Sequence, residues 1–193
     1  MSTGTGLRTA LFTPADRPDR VTKALQLPTD AVIVDLEDAV HDSAKAEARA
    51  RIRAYAALDR RPGLALLVRV NALGTPFAET DVAAIALPGV DGVVLPMVST
   101  SDDLVETDQV LTRAERAAGL REGAIPVIAI IETAAGVTGL SGLAQRPLRL
   151  SGLARKFVGG HAARGWAGVA VSVCWRRSSR SKKSERSLVV NFH

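Results

Sequence analysis

Short apolar runs recur along the first 150 residues of the chain: "LRTALFT" (7–13), "AVIVDL" (31–36), "LALLVRV" (64–70), "VDGVVLP" (90–96) and "IPVIAII" (125–131). They are continuous rather than alternating, the pattern of a strand covered on both faces, so each predicts a buried strand of a parallel sheet. Helical stretches separate them. "PDRVTKALQ" follows Asp16 as an N-cap, with Pro18 in the first turn, and "SAKAEARARIRAYAAL" begins at Ser43. "TSDDLVETDQVLTRAERAAG" has the capping-box spacing of Thr100 and Asp103, with Gly119 as its C-cap. Repeated strand–helix units imply βαβ connections, either in a doubly wound open sheet or in a (β/α)8 barrel. The first strand–helix turn, "FTPADRP", has no glycine-rich phosphate loop, which argues against a dinucleotide-binding sheet. The expected fold is therefore α/β, of the (β/α)8 TIM-barrel type. It is incomplete, with five to six βα units, the sixth starting at "LRLSGLA", where a full barrel takes about 250 residues.

Composition divides the chain in two. Of 25 Lys/Arg and 20 Asp/Glu in 193 residues, nine and one fall in positions 155–193, so positions 1–154 hold 16 and 19, a net charge of −3. The overall +5 and the pI near 10 thus come from the end of the sequence and do not describe the strand–helix region, which argues against nucleic acid as its partner. That end, "RKFVGGHAARGWAGVAVSVCWRRSSRSKKSERSLVVNFH", also holds both tryptophans, the single cysteine Cys174 and two of the three histidines. Its run "RRSSRSKKSERS" is of a composition that resists packing. The domain reading is a partial barrel over 1–154 and an atypical basic tail over 155–193. The tail is a native anion-binding extension, a divergent structure, or the product of a reading frame lost near Ala154; the last accounts for the most oddities together. One cysteine excludes a disulfide framework within the chain, and no apolar run is long enough to span a membrane. With no basic-then-apolar leader at the N-terminus, a cytoplasmic protein with no membrane partner is expected.

In a βα barrel the C-terminal strand ends form the working face. Polar residues collect there: Arg17 after the first run, Asp35, Glu37 and Asp38 after the second, Arg69 and Asn71 after the third, and Glu132 with Thr133 after the fifth. Such a rim suits a hard divalent cation and an anionic substrate, because Mg2+ takes a few protein oxygens and keeps other positions for water or substrate. Like charges in "DLED" can sit together if a cation and an arginine share their field. Arg69 inside "LLVRVN" demands an anionic partner. Asp35 is open between a site role and hydrogen bonding to neighbouring backbone. The histidines make no metal-spaced cluster, and Cys174 has no nucleophile's partner.

The segments "ALFTPADRPDRVTKAL", "DAVIVDLEDAV", "VRVNALGTP", "GVVLPMV" and "IAIIETAAGV", in this order and spacing, resemble the citrate lyase beta-subunit-like family. That family includes malyl-CoA, citramalyl-CoA and citryl-CoA lyases and lies near the class II aldolases of aromatic catabolism. The resemblance covers about residues 7 to 145. It implies a Mg2+-dependent TIM barrel, commonly a homotrimer, that cleaves or forms a carbon–carbon bond beside an acyl-CoA thioester. Glu132 resembles one of two metal-binding carboxylates, and Arg69 resembles the clamp on the substrate's carboxylate or keto-acid end. Glu37 and Asp38 resemble residues that orient metal-bound waters. Arg17 is expected near the CoA phosphates.

Two departures from the family pattern stand out. Met97 occupies a position where the family usually has lysine. The second metal carboxylate, expected after strand six, is missing, because that region reads "SGLARKFVGGHAARG". The expectation is a member of the family whose lyase activity is impaired. Its alternatives are a non-catalytic binding module with an anion- or nucleic-acid-binding tail, and a thioesterase or aldolase on the same scaffold.

Overall fold

The computed structural model of the chain describes residue 7 and residues 9–139, 149–155, 174–175 and 189–192. Most of the basic tail therefore lies outside the described residues, and so do the anion-binding and frame-loss readings placed on it. Six strands follow one another in parallel: β1 (Thr9–Pro14), β2 (Ala31–Asp35), β3 (Ala65–Arg69), β4 (Gly92–Leu95), β5 (Val127–Ile131) and β6 (Leu150–Arg155). Two further strands flank them: β7 (Cys174–Trp175), antiparallel to β6, and β8 (Val189–Phe192), parallel to β1. The sheet order is β7-β6-β5-β4-β3-β2-β1-β8.

Strand parity sorts the two faces. Val32, Val34, Leu66, Val68, Val93, Leu95, Val127, Ala129 and Ile131 join one core with residues from the helices, including Val21, Ile52, Tyr55, Ile85 and Leu111. The alternate positions Ala10, Phe12, Ala31, Ile33, Leu67, Val94, Ile128, Ile130 and Ala154 form a separate cluster that holds no residue of any helix. Among the described residues, helices pack on one face and β1 to β6 lie in sequence order, which is the barrel arrangement; a doubly wound sheet carries helices on both faces.

Local sequence accounts for the helices. α1 (Pro18–Ala24) starts on Pro18, but its N-cap is Arg17, with no side-chain cap, and not the expected Asp16. A 3-10 turn, Asp42–Ala44, capped by His41, precedes α2 (Lys45–Ala56), so the helix begins two residues after Ser43. The sequence reading has no helix between the third and fourth strands, where α3 (Ala78–Ile85) lies. α4 (Ser101–Ala117) has the predicted capping box, Thr100 with Asp103, and Gly119 follows it at φ 70, a left-handed position that costs glycine little. α5 (Ala134–Thr138) is short. Among the described residues no helix is long and apolar enough to cross a membrane.

One ion-pair network fastens α4 to β6. Glu115, fully buried, accepts from the backbone N–H groups of Gly123 and Ile125 at 2.8 Å each and from Arg149 Nη1 at 2.6 Å. Arg149 also donates to Asp108 at 2.5 Å and to Thr112 at 2.8 Å. Removing Glu115 leaves these donors without their acceptor. Glu115→Ala is expected to lower unfolding free energy by about 3 kcal/mol, measured by urea denaturation, because two amides and Arg149 Nη1 lose their acceptor together while Arg149 keeps Asp108 and Thr112.

Candidate functional site

The inner-face parity that carries Ile33, Leu67 and Ile130 continues one step past each strand's apolar stretch to Asp35, Arg69 and Glu132. The same geometry that buries an apolar lining therefore delivers charged groups to its C-terminal rim. Asp35 and Arg69 are partners in the β2–β3 ladder. Arg69 Nε donates to Asp35 Oδ1 at 2.8 Å and Nη2 to Asp35 Oδ2 at 2.6 Å, a two-point contact between a planar fork and a carboxylate. Nη1 lies 2.7 Å from Glu37 Oε2 and 3.5 Å from Asp38 Oδ2. The guanidinium carbon sits 5.0 Å from the centre of the Phe12 ring, on the inner face of β1. Buried Arg69 thus meets three acids and an aromatic face.

Asp35 does more than pair with Arg69. Its Oδ1 accepts from the N–H of Glu37 at 2.9 Å and its Oδ2 from the N–H of Ala39 at 3.1 Å. Of the two roles left open for it, backbone hydrogen bonding is therefore present, and it shapes the loop that carries Glu37 and Asp38. Asn71 holds the adjacent loop. Its backbone N–H and Nδ2 donate to the buried Asp81 at 2.9 and 2.6 Å, and Nδ2 reaches Leu36 O at 3.0 Å. Asp81 in turn accepts from Arg49 Nε at 2.8 Å.

Glu132 belongs to the same end of the sheet. Its Oε1 accepts from the N–H of Met97 at 3.0 Å, and its charge is felt at Glu37. Met97 is half exposed and adopts φ 59, a left-handed conformation that is unfavourable for a residue with a side chain. Ser99 Oγ and Thr133 Oγ1 lie 2.7 Å apart beside it. Gly136 lets α5 come this close, since a Cβ there would lie 2.5 Å from Val98 O. Arg17 stands apart, in the exposed turn after β1, where its Nε lies 3.8 Å from Asp16. The structure therefore brings Glu37, Asp38 and Arg69 into contact, sets Glu132 near them, and leaves Arg17 at the edge. Sequence reasoning missed Phe12, whose alternation with Ala10 on β1 was the available signal. It also missed Lys45, whose surroundings in an Arg- and Ala-rich helix look solvent-facing.

The carboxyl of Glu37 is pushed up from its ordinary 4.5 to about 7. Burial is the largest cause; Arg69 opposes it, and Asp38, Asp35 and Glu132 add to it. Arg69 fails to prevail because Asp35 already holds two of its N–H groups, so Glu37 meets a largely compensated cation among other anions. In the pH window between these two values the folded state keeps a proton that the unfolded state releases. Stability from this group is thus full below about pH 4.5 and falls as pH rises through about 7. The variant Glu37→Gln should lose that slope, gaining thermal stability relative to the parent protein as pH rises from about 5 to about 8, read from paired melting curves.

Among the described residues the donor set for a divalent cation is incomplete. Asp35, Glu37 and Asp38 are engaged by Arg69, and Glu132 directly follows β5. After Glu132 the next acid in the sequence is Glu185. Among the described residues no group of three or more His, Cys, Asp or Glu is arranged to hold a metal ion. Among the described residues, therefore, the carboxylates at the rim do not by themselves make a Mg2+ site.

Comparison with known proteins gives this geometry a family. The chain is 38% identical over 135 residues to a citrate lyase subunit beta-like protein of Deinococcus radiodurans, covering 68% of this chain and 45% of that one. It is 35% identical over 150 residues to the L-malyl-CoA/beta-methylmalyl-CoA lyase of Cereibacter sphaeroides, covering 76% and 46%. A crystal structure of the CitE protein of Mycobacterium tuberculosis in complex with magnesium, acetoacetate and coenzyme A superposes with a TM-score of 0.58 at 31% identity, covering 78% of this chain and 48% of that one. The chain spans about half the length of the curated relatives it matches. The family model described as HpcH/HpaI aldolase/citrate lyase matches residues 8–155, and the chain belongs to that family.

Proposed function

We propose that residues 1–154 carry the acid–arginine half of a Mg2+-dependent carbon–carbon lyase acting on a 3-hydroxy-acyl-CoA of the citryl-, malyl- or citramalyl-CoA type, and that this activity is impaired in the chain as it stands. The observation that carries the reading is Arg69, buried at the rim with its fork on Asp35 and Nη1 turned towards Glu37 and Asp38. Sequence similarity to malyl-CoA lyases supports the substrate class, and the magnesium, acetoacetate and coenzyme A bound by the mycobacterial relative support the ligands. The family match over residues 8–155 supports a partial barrel over 1–154, with the basic tail of 155–193 beyond it.

Arg69 has two functions in this reading. The Asp35 contact fixes the guanidinium, and Nη1 is the group that a substrate carboxylate or keto acid takes. To do so the substrate displaces Glu37, which leaves at little cost: with its carboxyl pushed up to about 7, it takes up a proton near neutral pH instead of staying buried as an unpaired anion. Glu37 and Asp38 then line the space beside the bound acid, where they orient water. Arg17, on the exposed turn of the same rim, is available to the CoA phosphates.

The carboxylate missing from the sequence after β6 is the reason for the impairment. Purified chain given Mg2+ and malyl- or citramalyl-CoA should turn over at least about a hundredfold more slowly than an intact relative. A chimera of residues 1–154 followed by the matching remainder of the Deinococcus relative should recover Mg2+-dependent cleavage and lose it again on Arg69→Lys, which abolishes the two-point grip. A folded chimera with no such activity on any of these thioesters would sink the lyase reading, and brisk turnover by the unmodified chain would sink the impairment.

A further inference from the structure

We infer that Lys45 is a positioning residue for the acidic loop: its buried ammonium grips the carbonyls of Leu36 and Glu37 from behind and so aims the Glu37 and Asp38 side chains at Arg69. Lys45 is 4% exposed, an unusual state for a lysine and one that demands partners. Its Nζ donates to Leu36 O and to Glu37 O, both at 2.8 Å, lies 3.9 Å from the exposed Asp42 carboxylate, and sits 5.4 Å from the centre of the Phe77 ring.

The peptide unit between Leu36 and Glu37 shows why this matters. The N–H and C=O of a peptide plane point in opposite directions. Here the N–H of Glu37 is held by Asp35 Oδ1 on the Arg69 side, while Leu36 O is held by Lys45 Nζ and Asn71 Nδ2 on the other. The plane is therefore pinned from both sides and cannot rotate without breaking a bond to a charged group. The next carbonyl, Glu37 O, is pinned by the same ammonium. Lys45 holds both carbonyls directly, so its grip on the loop runs through the backbone.

The proposed lyase chemistry enters only in making this cluster the working part of the rim. The Lys45 role is tested in the full chain without turnover, so a failed lyase assay leaves it standing. In the unmodified protein the Lys45 ammonium should exchange slowly with water and show NMR scalar couplings across its hydrogen bonds to the carbonyl carbons of Leu36 and Glu37. An ammonium in fast exchange, with neither coupling, overturns the proposal whether or not any variant folds. In Lys45→Met, the amide signals of Glu37 and Ala39 and the Arg69 Nε–H signal should shift and exchange about tenfold faster, while Val94 and Ile130 stay unchanged. Lys45→Arg, which keeps donors for both carbonyls, should restore them. Cluster signals that do not respond to Lys45→Met overturn the proposal, and so does an equal loosening of all the strands, which marks a structural role alone.

Discussion

The site rests on one buried ion pair. Arg69 ends β3 and Asp35 ends β2, and the parallel ladder sets them opposite each other. Neither is tolerable alone: a guanidinium or a carboxylate taken from water at this depth without its partner costs several kcal/mol. Together they resolve the oddity of an apolar strand that runs into three acids. Arg69 draws Asp35, Glu37 and Asp38 onto one cation, and Asp35 uses its remaining capacity to hold the N–H groups of Glu37 and Ala39. The loop is thus built on the pair, and the acids are aimed by it.

Three acids against one arginine leave the cluster net negative. Burial, helped by the neighbouring acids against the pull of Arg69, is why the Glu37 carboxyl is pushed up to about 7. The imbalance is stable where it stands because a second layer takes up the strain through the backbone. Lys45 and Asn71 hold the carbonyls of the acidic loop, Asp81 holds Asn71, and Arg49 holds Asp81. Lys45 and Arg49 come from α2 and Asp81 from α3, so the loop is held from the helices. The rim is organised from behind, which leaves its open side to whatever enters.

What the sequence made legible follows from how far each signal reaches. The buried strands were readable because a short, continuous apolar run bounded by turn residues fits little besides a strand covered on both faces. The α4 capping box was readable because its two residues lie three apart. That Arg69 must have an anion was readable too, since a strand interior offers it no water. Which acid it would choose was not, because register across β2 and β3 is a tertiary property. Lys45 stayed hidden for the same reason: a lysine among arginines and alanines looks like a solvated helix face until the loop folds over it. Helix α3 was missed because "AETDVAAI" is short and its one buried acid, Asp81, has a partner on a different element. The resemblance to the lyases carried the rest, since residue roles at the rim rest on motif matching more than on anything a periodicity contains.

Membership in the family and the incomplete donor set are compatible once the two halves of the chemistry are separated. Binding an anionic substrate end calls for a fixed cation with an exchangeable contact, and Arg69 has both, with Nε and Nη2 committed to Asp35 and Nη1 shared by two weaker claimants. Stabilising the charge that develops as a carbon–carbon bond breaks calls for preorganised positive charge at a second point. Around that second point this chain has a half-exposed Met97 in a left-handed turn and a stretch after Glu132 with no acid before Glu185. The Arg69–Asp35 pair is also structural, because removing either partner would leave a buried charge at the β2–β3 rim.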